Sequence, residues 1–337
     1  MKKLLGLVFV AALGAGGWLS WALLTPVQPP PHTLVMLHPG FSTHRIAAEL
    51  KNAGIIRSEK AFILWQYVHR RRSLKAGEYL FDTPANIIAI QKRLRRGDVY
   101  FHTVVVPEGY TMFDIGRAIE AAGLGPADEF LKVAQNDTAL IADIAPGARS
   151  LEGYLFPDTY QFTRTMTMDE MAAAMVRQFR QVATQLNLIS DVIGADPGLA
   201  RNLPSIVTMA SIVEKETAVP EERPQVASVY YNRLEKHIAL DADPSIIYAE
   251  LLAGAYQGAL HHADMQFSSP YNTYRNAGLP PGPIGNPGRS ALEAAMHPAQ
   301  TDYLYFVADA QGHHRFARTF EEHNENVAAY RKAMRGR

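Results

Sequence analysis

Twenty-one consecutive residues, Leu4 to Leu24, carry no charge. Nothing else in the chain limits its fold so strongly, because a run of that length makes an apolar helix of roughly 31 Å, the thickness of a bilayer's hydrocarbon core. Lys2 and Lys3 precede it. Basic residues stay on the cytoplasmic side, so the remaining chain is expected across the membrane. A secretory signal has a shorter apolar region, about 7–15 residues, and ends in a small-x-small cleavage site. No such site sits cleanly here, and the expectation is an uncleaved single-pass anchor with Trp18 and Trp21 near its outer end. The next segment, Thr25 to His32 (TPVQPPPH), has the composition of a stiff, extended spacer.

Beyond the spacer the chain is globular. Its 337 residues leave room for two domains, and 47% hydrophobic with 9% aromatic content is that of a packed core rather than a disordered tail. A net charge of zero argues against a dedicated nucleic-acid binder. The absence of cysteine removes disulfides and thiolate chemistry.

An internal repeat organises the first third. Val35 to Gly54 and Val104 to Gly123 align without a gap at an offset of 69 residues. Gly40 matches Gly109, Ile46 matches Ile115, and Ala53-Gly54 matches Ala122-Gly123. Each copy reads as a buried strand, a glycine turn, a Ser42 or Thr111 helix cap, and an amphipathic helix closed by glycine. Between the copies, helices are expected over Ser58–Arg72 and Pro84–Arg96, with a strand at Gly77–Phe81. The first copy with its following helix and strand resembles a LysM-like βααβ module, a small fold associated with glycan chains; plain α/β packing without a ligand is the other reading. The basic runs Arg70-Arg71-Arg72, Lys92-Arg93 and Arg95-Arg96 suit a solvated face or contact with anionic envelope polymers.

The stretch Leu203 to Thr217, LPSIVTMASIVEKET, predicts a helix opened by Pro204. Ile206, Met209, Ala210, Val213 and Thr217 share one face, and Thr208, Ser211 and Lys215 are expected toward water. Glu214 and Glu216 flank the apolar face. A carboxyl half-sunk in an apolar wall gains proton affinity and can serve as a general acid. Pairing of both glutamates with Lys215 or Arg223 on a helix surface is the competing reading.

Elsewhere, Met168–Leu186, Pro220–Lys236, Ser290–His297 and Phe320–Met334 read as helices, Tyr303–Ala308 as a strand, and Gly312–Phe316 as its hairpin partner. Ser268 to Gly288 is rich in glycine and proline and predicts an ordered loop. Asn272, Tyr274 and Asn286 could bind acetamido or hydroxyl groups there, or simply scaffold the loop. Glu152 could orient substrate or support Glu216, and Asp158 suits a turn cap. Tyr154, Phe156 and Tyr231 suit sugar platforms or core. The chain's twelve histidines show no tight ligand spacing, and no metal is expected.

ASIVEKET (Ala210–Thr217), EGYLFPDTY (Glu152–Tyr160), the Asp243-Pro244 turn, YNTYRNAGLPPGPIGNPG (Tyr271–Gly288) and HPAQTDYLYFVAD (His297–Asp309) together resemble the endolytic murein transglycosylase, or YceG-like, family over the whole chain. The resemblance implies an α+β protein: anchor 1–24, Pro-rich spacer 25–32, LysM-like part 33–103, and catalytic domain 104–334. It implies cleavage of peptidoglycan strands between N-acetylmuramic acid and N-acetylglucosamine, leaving 1,6-anhydro ends, without any cofactor. It places the catalytic carboxyl at Glu216, followed by the hydroxyl residue Thr217, and leaves Glu214 supporting or structural. It implies periplasmic catalysis at the inner (plasma) membrane, with penicillin-binding synthases as partners. A non-catalytic glycan-binding divisome scaffold and a lysozyme-like hydrolase are the rival functions.

Overall fold

The computed structural model describes residues 2–69, 73–189 and 202–335. The chain is a mixed α/β protein in two compact units, Met1–Thr103 with Gln161–Thr167, and Val104–Tyr160 with Met168–Arg337.

The first unit opens with α1 (Lys2–Leu24) and continues through β1 (Thr33–Leu37), α2 (Thr43–Asn52), α3 (Glu59–Val68), β2 (Gly77–Phe81) and α4 (Ile87–Arg96). The strands pair antiparallel, with Val35 opposite Tyr79. Strand alternation turns Val35, Leu37, Tyr79 and Phe81 inward, where helix residues such as Leu50, Phe62 and Leu94 complete the core. Ser42, Ser58 and Asn86 each accept the backbone N–H three residues on, so all three following helices begin on a side-chain cap. The run Arg70–Arg72, expected to finish the second helix, lies outside the described residues.

Thr25–His32, read in sequence as a stiff spacer, is strapped to the first unit. Val27 and Ala85 form an antiparallel bridge with N–H···O distances of 2.9 and 3.2 Å. Arg57 Nη2 donates to the Pro26 carbonyl at 3.1 Å, and Pro29 is buried. The end of α1 is held as well: Ala22 and Leu23 are buried in the core, and Leu19 packs against it. Prolines with pre-set φ lose little entropy on docking, so the composition of a stiff spacer also suits a strap.

The chain then forms β3 (His102–Val105), α5 (Met112–Ala121), α6 (Ala127–Asn136), β4 (Thr159–Phe162) and α7 (Met168–Gln185). Further along come α8 (Leu203–Glu216), α9 (Arg223–Glu235), α10 (Asp243–Ala253), α11 (Arg289–Met296), β5 (Tyr305–Ala308), β6 (His314–Ala317) and α12 (Phe320–Arg335). β3 pairs with β4, and β5 with β6. The sequence repeat is a structural one, β1–α2 against β3–α5. Gly40 and Gly109 both take positive φ, and Ser42 and Thr111 both cap.

α8 packs against α9, α10 and α11. It is buried all round from Ile206 to Val213, and this overturns the expected wet face: Thr208 and Ser211 are inside. Thr208 Oγ1 donates to the Pro204 carbonyl at 2.8 Å, and Ser211 Oγ donates to the Thr208 carbonyl at 2.7 Å. Ser211 Oγ also accepts the Ile284 N–H at 3.0 Å. Hydroxyls that bond back to the preceding turn can be buried without loss. A polarity pattern cannot tell such a face from a solvated one. Lys215 is exposed, as expected.

Candidate active site

Glu216 is the last residue of α8, and Thr217 takes extended backbone beyond it. The Thr217 hydroxyl accepts the Val219 N–H at 3.0 Å, and Pro220 follows, so the chain turns away and leaves Glu216 at a helix end. Burial pushes the Glu216 carboxyl up to about 7, against a hydrogen bond from Tyr230 that lowers it; the Asp243 charge raises it and Arg233 lowers it. Tyr230, on α9, is 2% exposed and its ring meets Phe306 edge-on at 5.8 Å. Burial holds its hydroxyl well above the ordinary range, so it stays a donor near neutrality.

Arg233 lies one turn further along α9. It donates to the Leu304 carbonyl at 2.7 Å and the Leu240 carbonyl at 2.9 Å, and lies 5.2 Å over the Tyr305 ring. Asp243, the first residue of α10, accepts the Tyr274 hydroxyl at 2.6 Å. The structure thus brings Tyr274 into the surroundings of Glu216, as the charge of Glu216 acting on its hydroxyl records. Tyr230, Arg233 and Asp243 had no assigned role in the sequence reading. The available signals were the i, i+3 spacing of Tyr230 and Arg233 and the Asp243-Pro244 helix start.

Glu214 occupies a different position. Its side chain is 5% exposed, and Oε1 accepts Arg223 Nη2 at 2.6 Å. Its Oε2 accepts the Gly288 N–H at 2.9 Å. Burial raises its proton affinity, opposed by the Gly288 N–H and the Arg223 charge. A Cβ at position 288 would lie 1.8 Å from Glu108 Oε1, so a larger residue there would displace the Glu108 side chain from the cluster. Glu214 therefore ties α8 to the start of α11.

Glu152 and Asn286 come together, apart from the bonds around Glu216. Glu152 accepts the Met112 N–H, at the first turn of α5, at 3.0 and 3.1 Å, and Asn286 Nδ2 at 2.6 Å. Asn286 Oδ1 accepts the Gly153 and Leu155 N–H groups at 2.8 and 2.9 Å. Burial pushes the Glu152 carboxyl up to about 8, against the Met112 N–H and the Tyr248 hydroxyl. Asn272 is fully buried: Nδ2 donates to the Met265 and Phe267 carbonyls, and Oδ1 accepts the Tyr274 N–H. Its amide shapes the loop from which Tyr274 projects. Tyr154, Phe156 and Tyr231 are buried in the core.

A broad depression of about 1090 Å³ lies beside α9, lined by Ser228, Asn232, His237, His297 and Thr301 among others, and Glu216 is not part of it. Its polar groups are engaged internally, Ser228 with Thr301 at 2.7 Å and Asn232 with the Thr301 and Tyr303 carbonyls at 2.9 Å. At Glu216 a carboxyl poised near neutrality meets a neutral tyrosine donor and a neighbouring carboxylate. Such a group can give a proton and take one back.

Residues 35–329 match the YceG-like family. The chain is 33% identical to the endolytic murein transglycosylase of Bacillus subtilis, over 92% of this chain and 88% of that protein. It is 30% identical to the protein of the same name from Streptococcus pneumoniae D39, over 96% of this chain and 64% of that one. A solved structure of a YceG-like protein from Listeria monocytogenes superposes with a TM-score of 0.58 at 32% identity, covering 87% of this chain and 98% of its own.

Proposed function

The chain belongs to the YceG-like family, and from that premise we propose that it is an endolytic murein transglycosylase with Glu216 as its single acid/base. The observation that carries this is the Glu216 carboxyl raised by burial to about 7 at the end of α8, with Tyr230 bonded to it. At neutral pH such a group is present in both protonation states.

The reaction uses both. Protonated Glu216 gives its proton to the glycosidic oxygen as the bond from C1 of N-acetylmuramic acid breaks. The Glu216 carboxylate then takes the proton of the C6 hydroxyl as O6 bonds to C1, which closes the 1,6-anhydro ring. No water enters, so the reaction needs no second carboxylate to activate a nucleophile. Asp243, fixed by Tyr274, supports the first half by raising the proton affinity of Glu216. Tyr230 supports the second by donating to the carboxylate.

α1 spans 23 residues and contains an 18-residue window of mean hydropathy 1.9, and with Lys2 and Lys3 at its start this supports a single-pass plasma-membrane anchor with a cytoplasmic N-terminus and periplasmic catalysis. The βααβ order with antiparallel β1 and β2 supports a LysM-like part over 33–103 that meets glycan, ahead of a catalytic part over 104–334. Penicillin-binding synthases are the protein partners that the family resemblance implies.

The test is digestion of purified peptidoglycan followed by mass spectrometry of the fragments. Products one water lighter than reducing muropeptides are expected, and they should vanish in Glu216→Gln. Reducing ends would make the protein a hydrolase, and intact glycan would make it a scaffold.

A further inference from the structure

The length of α1 does not match what is free to enter a bilayer. The uncharged run Leu4–Leu24 is about 31 Å long as a helix, so nearly all of it is needed to fill a hydrocarbon core of about 30 Å. Yet Leu19, Ala22 and Leu23 pack into the core of the first unit, and Asn86 Nδ2 reaches the Leu24 carbonyl at 3.4 Å. The last six residues of the run, roughly 9 Å of helix, therefore serve the membrane and the first unit at once. The strap at Val27–Ala85 and the Arg57 guanidinium, which lies 5.2 Å over the Trp21 ring, leave no slack at the junction. The surface of the first unit beside α1 has to sit at lipid depth.

α1 packs against α3 and α4, and α3 has the surface such a position requires. Its inner face buries Ala61 and Phe62, while Leu64, Tyr67 and Val68 form an i, i+3, i+4 stripe that is 48%, 62% and 70% exposed. From Lys60 to Gly77 the sequence carries Lys60, Arg70, Arg71, Arg72 and Lys75 and not one acidic residue. An apolar stripe next to basic residues suits an anionic phospholipid surface, where an interfacial helix sinks about 5–10 Å. The overlap of roughly 9 Å along α1 falls within that range.

We propose that the outer stripe of α3, Leu64, Tyr67 and Val68, is a second membrane contact that lies in the headgroup–acyl boundary beside the exit of α1. The proposal rests on the reading of α1 as membrane-spanning. It assigns α3 a lipid partner rather than a glycan or a second copy of the chain.

The chain has no cysteine, so single-cysteine variants of the full-length protein accept one fluorophore each. Val68→Cys and, on α1, Val10→Cys would be labelled with an environment-sensitive dye and reconstituted in phosphatidylcholine–phosphatidylglycerol vesicles. Each would be read with brominated acyl chains as a lipid quencher and iodide as an aqueous one. The expected result is several-fold quenching by brominated lipid at both positions, and protection from iodide at position 68 compared with the same label on the urea-unfolded chain. Quenching by iodide alone at position 68, with Val10 still lipid-quenched, overturns the contact and leaves the anchor standing. Protection of position 68 from both quenchers means protein or glycan covers the stripe and also overturns it. Loss of lipid quenching at Val10 removes the anchor and this contact together. Circular dichroism and peptidoglycan digestion, unchanged in both variants, verify the fold.

Discussion

Glu152 and Glu216 belong to the same unit, and burial raises both carboxyls, to about 8 and about 7. Their surroundings differ. Glu152 is 1% exposed, and its oxygens are taken by the Met112 N–H, the Asn286 amide and the Tyr248 hydroxyl. Glu216 keeps part of its surface in contact with solvent and is held by Tyr230, beside the exposed Asp243. A raised proton affinity marks a carboxyl withdrawn from water. Whether that carboxyl is structural or reactive depends on how many of its lone pairs are already committed.

The sharpest way to break this contrast is to exchange each glutamate for glutamine. Glu216→Gln is expected to lower the rate of anhydro-product release by about 10²–10⁴ with an unchanged circular dichroism spectrum. Glu152→Gln should keep its rate per folded molecule. A dead but folded Glu152→Gln enzyme would reverse the two roles.

The pH dependence separates the same two groups. With protonated Glu216 as the proposed general acid, kcat/KM should fall by about tenfold per pH unit above about 7. Glu152 should appear in stability instead. Its unfolded value is the ordinary 4.5 and its folded value about 8, so the native state holds the extra proton between them and stability declines as pH rises across that window. Thermal melts of Glu152→Gln should show a shallower decline from pH 5 to pH 8. An equal slope would mean Glu152 does not titrate there.

Removing Asn286 tests the structural side. Asn286→Ala leaves the Gly153 and Leu155 N–H groups without their acceptor, at about 1–3 kcal/mol each. A fall in Tm of roughly 5–20 °C is expected, given about 2–4 °C per kcal/mol for a unit of this size. Glu214→Gln weakens a charged hydrogen bond to buried Arg223 and should cost about 1.5–3 kcal/mol in urea melts, with rate loss no larger than the unfolding explains. Tyr274→Phe removes only the hydroxyl bond to Asp243 and should change stability by about 1 kcal/mol or less while shifting the alkaline limb of the rate toward lower pH. An unmoved limb would separate Asp243 from Glu216.

What was legible in the sequence was local. Pro204 and the apolar spacing of Ile206, Met209 and Val213 announced α8, and Ser42 and Thr111 announced two caps that the structure contains. The strand Gly77–Phe81 matched to the residue. What was hidden was pairing at a distance. Nothing near Glu152 shows that its partner stands 134 residues away at Asn286, and nothing near Ser211 shows that Ile284 will cover it. Asn272 stands open in sequence between a sugar-binding group and a loop scaffold, because composition does not disclose that both ends of its amide face the loop's own backbone. Polar residues are ambiguous in sequence because their environment is decided by elements that the local pattern does not contain.

The Asn286 amide has a consequence for the order of assembly. It joins Tyr110, Glu152 and its own loop across 176 and 134 residues. Loops of that length close against an entropic cost that is met before the contacts they permit can form. A chain that emerges N-terminus first presents α8 and Glu216 long before Asn286 arrives, and Glu214 likewise waits for Gly288. An unfinished chain would carry its acid without the walls that tune it, so the ability to cut is acquired only when the molecule is nearly whole.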